Sequence, residues 1–198
     1  AARFLLAAEL ALRQRAAEAE CAALADDVLA ALKDTSKTVA VLPAAIRLYV
    51  AAGKTAQARQ CLDEYTDAIY TQNAPTEAKQ ELAYMRARVA RAEGDSYGVI
   101  DALQPAVVVD ASRPELWGLL SEAFSRTDQT RRAVNAMINY LRLRPRDPQM
   151  TLQLAKEYLK LRDWNRAFEA ARLAEPLDPT EILLKLLRIE ASVYMAAE

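Results

Sequence analysis

The sequence predicts an all-α solenoid of stacked antiparallel helix pairs, about ten helices in all. Two observations carry that prediction. From Pro114 onward, residue types recur every 34 positions. Pro114-Glu115-Leu116-Trp117 opens one unit and Pro148-Gln149-Met150-Thr151 opens the next, and Leu120 is matched by Leu154, Phe124 by Tyr158, Ala133 by Ala167 and Pro145 by Pro179. A fixed period of this length marks a helical repeat array, in which each unit buries its apolar face against its neighbours. The composition agrees. Hydrophobic residues make up 53% of the chain, alanine, leucine and arginine are prominent, there are only 4 glycines, and Val107-Val108-Val109 is the single long β-branched run. Such a mixture favours helix throughout.

Taken in order, residues 1–38 read as a diverged helix pair, with apolar stretches from Phe4-Leu5-Leu6 to Leu12 and from Cys21 to Leu32 and a turn near Arg13-Gln14-Arg15. Four breaks then line up between the two helices of successive units: Gly53, Gly94, Asp128 and Arg162, spaced 41, 34 and 34 residues apart. The surplus in the first interval is placed at Thr71-Gln72-Asn73-Ala74-Pro75, a turn or loop by composition. The resulting units are 39–79, 80–113, 114–147 and 148–181, within one array spanning 1–198, and residues 182–198 supply a capping or truncated helix. In unit 114–147 the apolar residues Leu116, Trp117, Leu120, Ala123 and Phe124 fall at helical steps, as do Ala133, Val134, Met137, Tyr140 and Leu141. Pro114 and Pro148 suit the first turn of a helix, where a missing N–H costs nothing. Pro145 and Pro179 suit positions just past helix ends, and Asp147 and Asp178 suit caps. Pro105 and Pro176 fall inside second helices and are expected to kink or shorten them.

Composition also excludes. Lysines and arginines total 26 against 27 acids, so the chain exerts no general pull on nucleic acid or membrane. There is no histidine, which removes the commonest general base and the commonest metal ligand together. Cys21 and Cys61 are too few for a zinc site or a disulfide framework. They read as small buried apolar side chains, or as a bridge if the compartment is oxidising. Asp26-Asp27 and Asp63-Glu64 are adjacent carboxylates that point to different sides of a helix and do not converge on a substrate. No glycine-rich phosphate loop, nucleophile elbow or Cys-x-x-Cys pair occurs. Arg142, Arg144 and Arg146 could touch an anionic surface, but they also complement the negative end of a helix. Trp117 reads as a core residue, and Trp164, just after a turn, as a partly exposed one. No stretch reaches the ~20 apolar residues of a membrane span. The chain begins at Ala1 without a methionine. It is therefore expected to be an excised fragment that lacks any targeting signal, which leaves the compartment open between cytoplasm and periplasm, and its alanine- and arginine-rich composition suggests a bacterial source.

With these residues in register, the sequence resembles the tetratricopeptide repeat family. Unit 114–147 carries Trp117, Leu120, Ser121, Phe124, Ala133, Met137, Tyr140 and Pro145 at the family's packing positions. Unit 148–181 carries Leu154, Ala155, Tyr158, Ala167, Ala171, Ala174 and Pro179, with Thr151 in place of the tryptophan. Unit 39–79 keeps Leu42, Tyr49, Gly53, Ala58, Leu62 and Tyr65, and unit 80–113 keeps Ala87, Ala90, Gly94, Leu103 and Ala106, with Val99 in place of a small alanine. The resemblance implies a right-handed superhelical solenoid whose concave groove presents itself to peptides or helices of other proteins.

In such arrays the first helix of each unit lines the groove, and the positions left after core packing point into it. Counting gives Arg47, Arg88, Glu122 and Lys156 at one place, Val50, Arg91, Ser125 and Leu159 three residues on, and Ala51, Ala92, Arg126 and Lys160 next, with Tyr84 and Met85 as apolar contacts. The expected groove residues are thus Arg47, Tyr84, Met85, Arg88, Arg91, Glu122, Arg126, Lys156 and Lys160. The same cations also fit an ordinary solvated helix face. A mostly basic groove suits an acidic or carboxylate-bearing segment through charge-assisted hydrogen bonds. The family's carboxylate clamp for chaperone tails uses lysine and asparagine. Here Arg47, Met85, Arg88, Leu119 and Glu122 occupy the corresponding places with no asparagine, which argues against that ligand.

The function expected from the sequence is therefore a non-enzymatic protein–protein interaction scaffold with no cofactor, no metal and no nucleic acid. The alternative is a structural spacer, or a segment self-associating through its cut ends, inside a bacterial envelope, secretion or polysaccharide-export assembly.

Overall fold

The structure, a computed structural model, describes residues 2–14, 17–30, 38–174, 189 and 192–194. The expectations for Arg15, Leu32, Pro176, Asp178, Pro179 and most of 182–198 lie outside the described residues. Within them run ten helices: α1 (Ala2–Gln14), α2 (Glu18–Ala30), α3 (Thr38–Ala51), α4 (Thr55–Thr71), α5 (Thr76–Ala92), α6 (Ser96–Val109), α7 (Pro114–Arg126), α8 (Thr130–Leu143), α9 (Pro148–Lys160) and α10 (Trp164–Ala174). There is no strand among the described residues. The chain divides into two compact units, Ala1–Leu103 and Gln104–Glu198, with the division inside α6.

One turn closes α3–α4, α5–α6, α7–α8 and α9–α10. Gly53, Gly94, Asp128 and Arg162 adopt left-handed backbone, with φ of 69°, 80°, 55° and 58°. The following amide reaches back five residues each time. Lys54 N–H donates to the Tyr49 carbonyl, Asp95 to Ala90, Gln129 to Phe124 and Asp163 to Tyr158, at 2.9 to 3.0 Å. This is the Schellman closure, which satisfies carbonyls that a helix end would otherwise orphan. Asn73, in the stretch expected to be a turn, is left-handed as well (φ 46°), and Ala74 N–H donates to the Ile69 carbonyl.

The starts of α7 and α9 carry Pro114 and Pro148 in their first turns. Asp147 caps α9, one carboxylate oxygen accepting from Met150 N–H at 3.0 Å while the other accepts the Tyr140 hydroxyl at 2.7 Å. One side chain thereby ties the end of α8 to the start of α9. Pro105 does not shorten its helix, because α6 continues to Val109 and Asp110 N–H still reaches the Ala106 carbonyl. A second interior proline, Pro43, sits buried in α3.

In the first unit α3 packs on α1, α2, α4 and α5, and α4 packs on α5. Leu42, Ile46, Leu48, Tyr65, Ile69, Met85 and Val28 are fully buried there. Each large aliphatic side chain removed from water contributes roughly 1.5–3 kcal/mol. Cys21 and Cys61 are buried and not joined in a disulfide, and the Tyr49 hydroxyl donates to Asp26 at 2.6 Å, joining α3 to α2. Arg59 of α4 forms a bidentate ion pair with Glu93 at the end of α5.

In the second unit α7 packs on α8, α8 on α9 and α9 on α10. Ala133 and Ala167 are 0% and 2% exposed, and their small side chains let α8 and α10 lie close against their partners. Trp117 departs from the core packing expected of it. It is half-buried, and its indole Nε1–H donates to the Ala111 carbonyl at 2.9 Å. The ring edge thus needs a polar partner near the surface, and Leu116 takes the fully buried place beside it. Trp164 is partly exposed as expected, stacked on Tyr194 with ring centroids 4.4 Å apart.

Candidate functional site

Residues three and four apart on a helix share a face. On α7 this groups Glu122, Ser125 and Arg126, and on α9 it groups Gln153, Lys156, Glu157 and Lys160. These seven side chains, with Met137 of α8, line a recess of about 360 Å³ within the second unit. Four of the nine residues counted from the sequence, Glu122, Arg126, Lys156 and Lys160, therefore meet in one place. Glu122 pairs with Arg126 at 2.8 Å and Lys160 with Glu157 at 2.7 Å. Lys156 is half-buried and makes no ion pair among the described residues. The recess carries three cations and two anions. It is less one-sidedly basic than the expected groove, because two of its cations are matched.

In the first unit, Arg47 is half-buried and its Nε–H donates to the Pro43 carbonyl at 3.2 Å, on its own helix. Arg88 lies over the Tyr84 ring, its guanidinium carbon 5.8 Å from the centroid, while Tyr84 leans on the core of that unit. Arg91 is exposed. Met85 is a correction. It is 0% exposed and belongs to the core, so it offers no apolar contact to a ligand. The reason is that α5 packs on both α3 and α4, which encloses a wider arc of its surface than counting from one neighbour allows.

The residue that sequence reasoning missed is Glu157. It is 5% exposed, one of three buried polar or charged side chains among the described residues. Its Oε1 accepts from Lys160, but its Oε2 is buried without a hydrogen-bond partner among the described residues. The Ser125 hydroxyl, across the recess on α7, is in the same condition. Several hydroxyls among the described residues turn back onto their own helix. Ser121 donates to the Gly118 carbonyl at 2.8 Å, Thr66 to Leu62 at 2.8 Å and Thr127 to Ala123 at 2.9 Å. Ser125 does not. A signal for Glu157 was present in the register, because the positions one and two units earlier hold Ala123 and Val89, both buried and apolar. A carboxylate at a place reserved for core packing stands out once the units are aligned.

No group of three or more acids and cysteines is arranged to hold a metal ion among the described residues. No helix among them is long and apolar enough to cross a membrane.

The helix pairs α3–α4, α5–α6, α7–α8 and α9–α10, each closed by the same left-handed turn, with alanines at the close approaches in the second unit, make an all-α helical repeat fold of the tetratricopeptide type. Solved structures agree on that fold. The C-terminal part of a TPR repeat-containing protein from Cytophaga hutchinsonii superposes with a TM-score of 0.73 at 16% identity, over 98% of this chain and 72% of that one. YrrB, described as a TPR protein with an unusual peptide-binding site, gives 0.67 at 15% identity over 91% and 88%. MamA gives 0.65 at 15% identity over 81% and 80%. No family model matches the sequence, and no curated protein matches it.

Proposed function

We propose that the chain is a protein-interaction module that binds extended, acidic segments of partner proteins on the first-helix faces within each of its two units, α3 and α5 in the first and α7 and α9 in the second. One observation carries this reading. On α7 and α9 the side chains left over from core packing converge on a recess with Lys156 at its wall and no ion-pair partner for it among the described residues. A carboxylate of a passing peptide would satisfy that ammonium by a charge-assisted hydrogen bond. In the first unit Arg47 and Arg88, counted at the equivalent place on α3 and α5, would offer guanidinium donors to the same kind of ligand. The fold neighbour YrrB, whose description records a peptide-binding site, supports peptide capture as the kind of task.

The test uses a fluorescent, capped, acidic dodecapeptide as probe. Lys156→Glu should weaken its binding about tenfold or more, the loss of one hydrogen bond to a charged group, with the helical circular dichroism and the unfolding transition unchanged. Arg88→Glu tests the face of the first unit in the same way. Undiminished binding by both variants would count against the groove.

A further inference from the structure

A second recess of the second unit, about 460 Å³, lies where α9 meets α8 and α10. Thr151, Leu154 and Tyr158 share one side of α9, opposite Lys156 and Lys160. With Ala170 of α10 they make a buried floor, and Leu141 and the exposed Leu173 make the sides. The preceding repeat supplies a template for this place. One period earlier, Leu120, Phe124 and Ala136 stand where Leu154, Tyr158 and Ala170 stand, around a recess of about 380 Å³. An arginine lies over the aromatic floor in both, Arg132 at 4.4 Å from the Phe124 centroid and Arg166 at 5.9 Å from that of Tyr158. The difference is at one position. Trp117 lines the earlier recess and donates from Nε1–H to the Ala111 carbonyl at 2.9 Å. Thr151 replaces it in the later one, its hydroxyl turned back to the Asp147 carbonyl at 2.8 Å. Leu141 and Tyr158 are bulkier than Val107 and Phe124, yet the later recess is the larger, and it reaches Pro145, the counterpart of Ala111. The backbone leading to these two residues is alike. Asp110 N–H donates to the Ala106 carbonyl at 3.0 Å, and Arg144 N–H to that of Tyr140 at 2.9 Å. Pro145 is exposed, and its carbonyl accepts no hydrogen bond among the described residues.

An occupant must fill apolar space and bring one donor. The charges at the rim are already matched, Arg166 by Asp163 at 3.5 Å and Glu169 by Arg172 at 2.8 Å. A charged occupant would lose its water without gaining a free counter-charge, so the electrostatics favour a neutral one. Leucine or phenylalanine would fill the space but cover the Pro145 carbonyl with no donor to it. Serine or an amide would donate but leave the floor of Leu154 and Ala170 unfilled. Tyrosine carries its hydroxyl at the tip of the ring, which would lead it into that aliphatic floor. An indole carries its N–H on the side of a large apolar ring system, and Trp117 seats this group on the equivalent carbonyl one repeat earlier. We infer that the recess of α8, α9 and α10 is a docking subsite for a tryptophan side chain of a partner protein, the Pro145 carbonyl accepting the indole N–H and Leu154, Tyr158 and Leu173 packing on the rings. The subsite lies on the side of α9 away from Lys156, so it is separate from the acidic-peptide face proposed above.

The probe is a capped, uncharged serine–glycine heptapeptide with tryptophan at its centre, compared with the same peptide carrying Phe, Tyr or Leu there. Each is titrated into the ¹⁵N-labelled whole chain and followed by amide chemical shifts. The Trp peptide should bind about fivefold tighter than each of the others, as one matched hydrogen bond predicts, with the largest shifts at Thr151, Leu154 and Ala170. Thr151→Trp gives the later repeat an indole of its own. It should abolish binding of the Trp peptide and leave that of the acidic dodecapeptide unchanged. Leu173→Ser removes an exposed side of the recess without touching the core. It should weaken the Trp peptide about threefold, and it decides the matter if Thr151→Trp fails to fold. Lys156→Glu should leave the Trp peptide unaffected, so loss of one site is distinguishable from loss of the other. Four peptides binding alike, no binding of the Trp peptide, or binding that neither Thr151→Trp nor Leu173→Ser diminishes would overturn the inference.

Discussion

Glu157 is the charged residue that the packing of α9 accommodates least easily. Its place in the repeat asks for a small or apolar side chain, and a buried charge replaced by an apolar group of similar volume is often neutral or stabilising. Glu157→Met is therefore predicted to raise the free energy of urea unfolding by about 1–2 kcal/mol. A loss of about 2 kcal/mol or more would instead make the carboxylate a structural element. Cys61 supplies a second prediction at this scale. Burial, with Glu64 and Asp26 nearby, pushes its thiol up from 9.0 to about 11. The raised value means that the folded state favours the neutral thiol. The resulting stability is complete below pH 9 and is lost as the pH rises through about 11. Between those limits wild type should lose on the order of 2 kcal/mol more than Cys61→Ala, measured by urea unfolding at pH 8.5 and 11. Parallel losses in the two proteins would refute a buried, neutral thiol.

Among the elements, the helix pairs owe their common geometry to a turn that two of the four closing residues fit poorly. Gly53 and Gly94 are left-handed at no steric cost, and a Cβ at either would meet nothing within 4 Å, so any penalty for alanine there is backbone strain alone. Asp128 and Arg162 hold the same conformation with a side chain. Asp128→Gly and Arg162→Gly should each stabilise by about 0.5–1 kcal/mol, and Gly94→Ala should destabilise by about 1–2 kcal/mol, read from denaturant midpoints. The opposite signs would mean that the closing turn is not what sets the pair geometry. These turns were legible in the sequence because a break recurring at one offset is a local signal, and so were the prolines at the starts of α7 and α9. The continuity of α6 through Pro105 was not legible, because the neighbouring helix bonds outweigh one lost donor. The burial of Met85 was hidden for a related reason: it depends on two neighbouring helices, whereas a count along α5 sees one.

For the molecule as a whole, the 34-residue period carried the helix-pair architecture into view, and the fold neighbours share that architecture at 15–16% identity. Sequence counting placed Glu122, Arg126, Lys156 and Lys160 on the first-helix faces, and within the second unit they line one recess. It overstated how basic that recess is, because pairing of cations with Glu122 and Glu157 depends on side-chain reach, which offsets do not report. It passed over Glu157 because a reading aimed at exposed positions discards those reserved for the core. The most direct test of the peptide-binding account is amide chemical-shift mapping of the ¹⁵N-labelled chain titrated with the acidic dodecapeptide. In the second unit the account predicts the largest shifts at Ser125, Lys156, Glu157 and Lys160, with Arg131 and Ile138 of α8 and Glu169 of α10 unmoved. Shifts concentrated on α8 and α10, or none along α7 and α9, would contradict it.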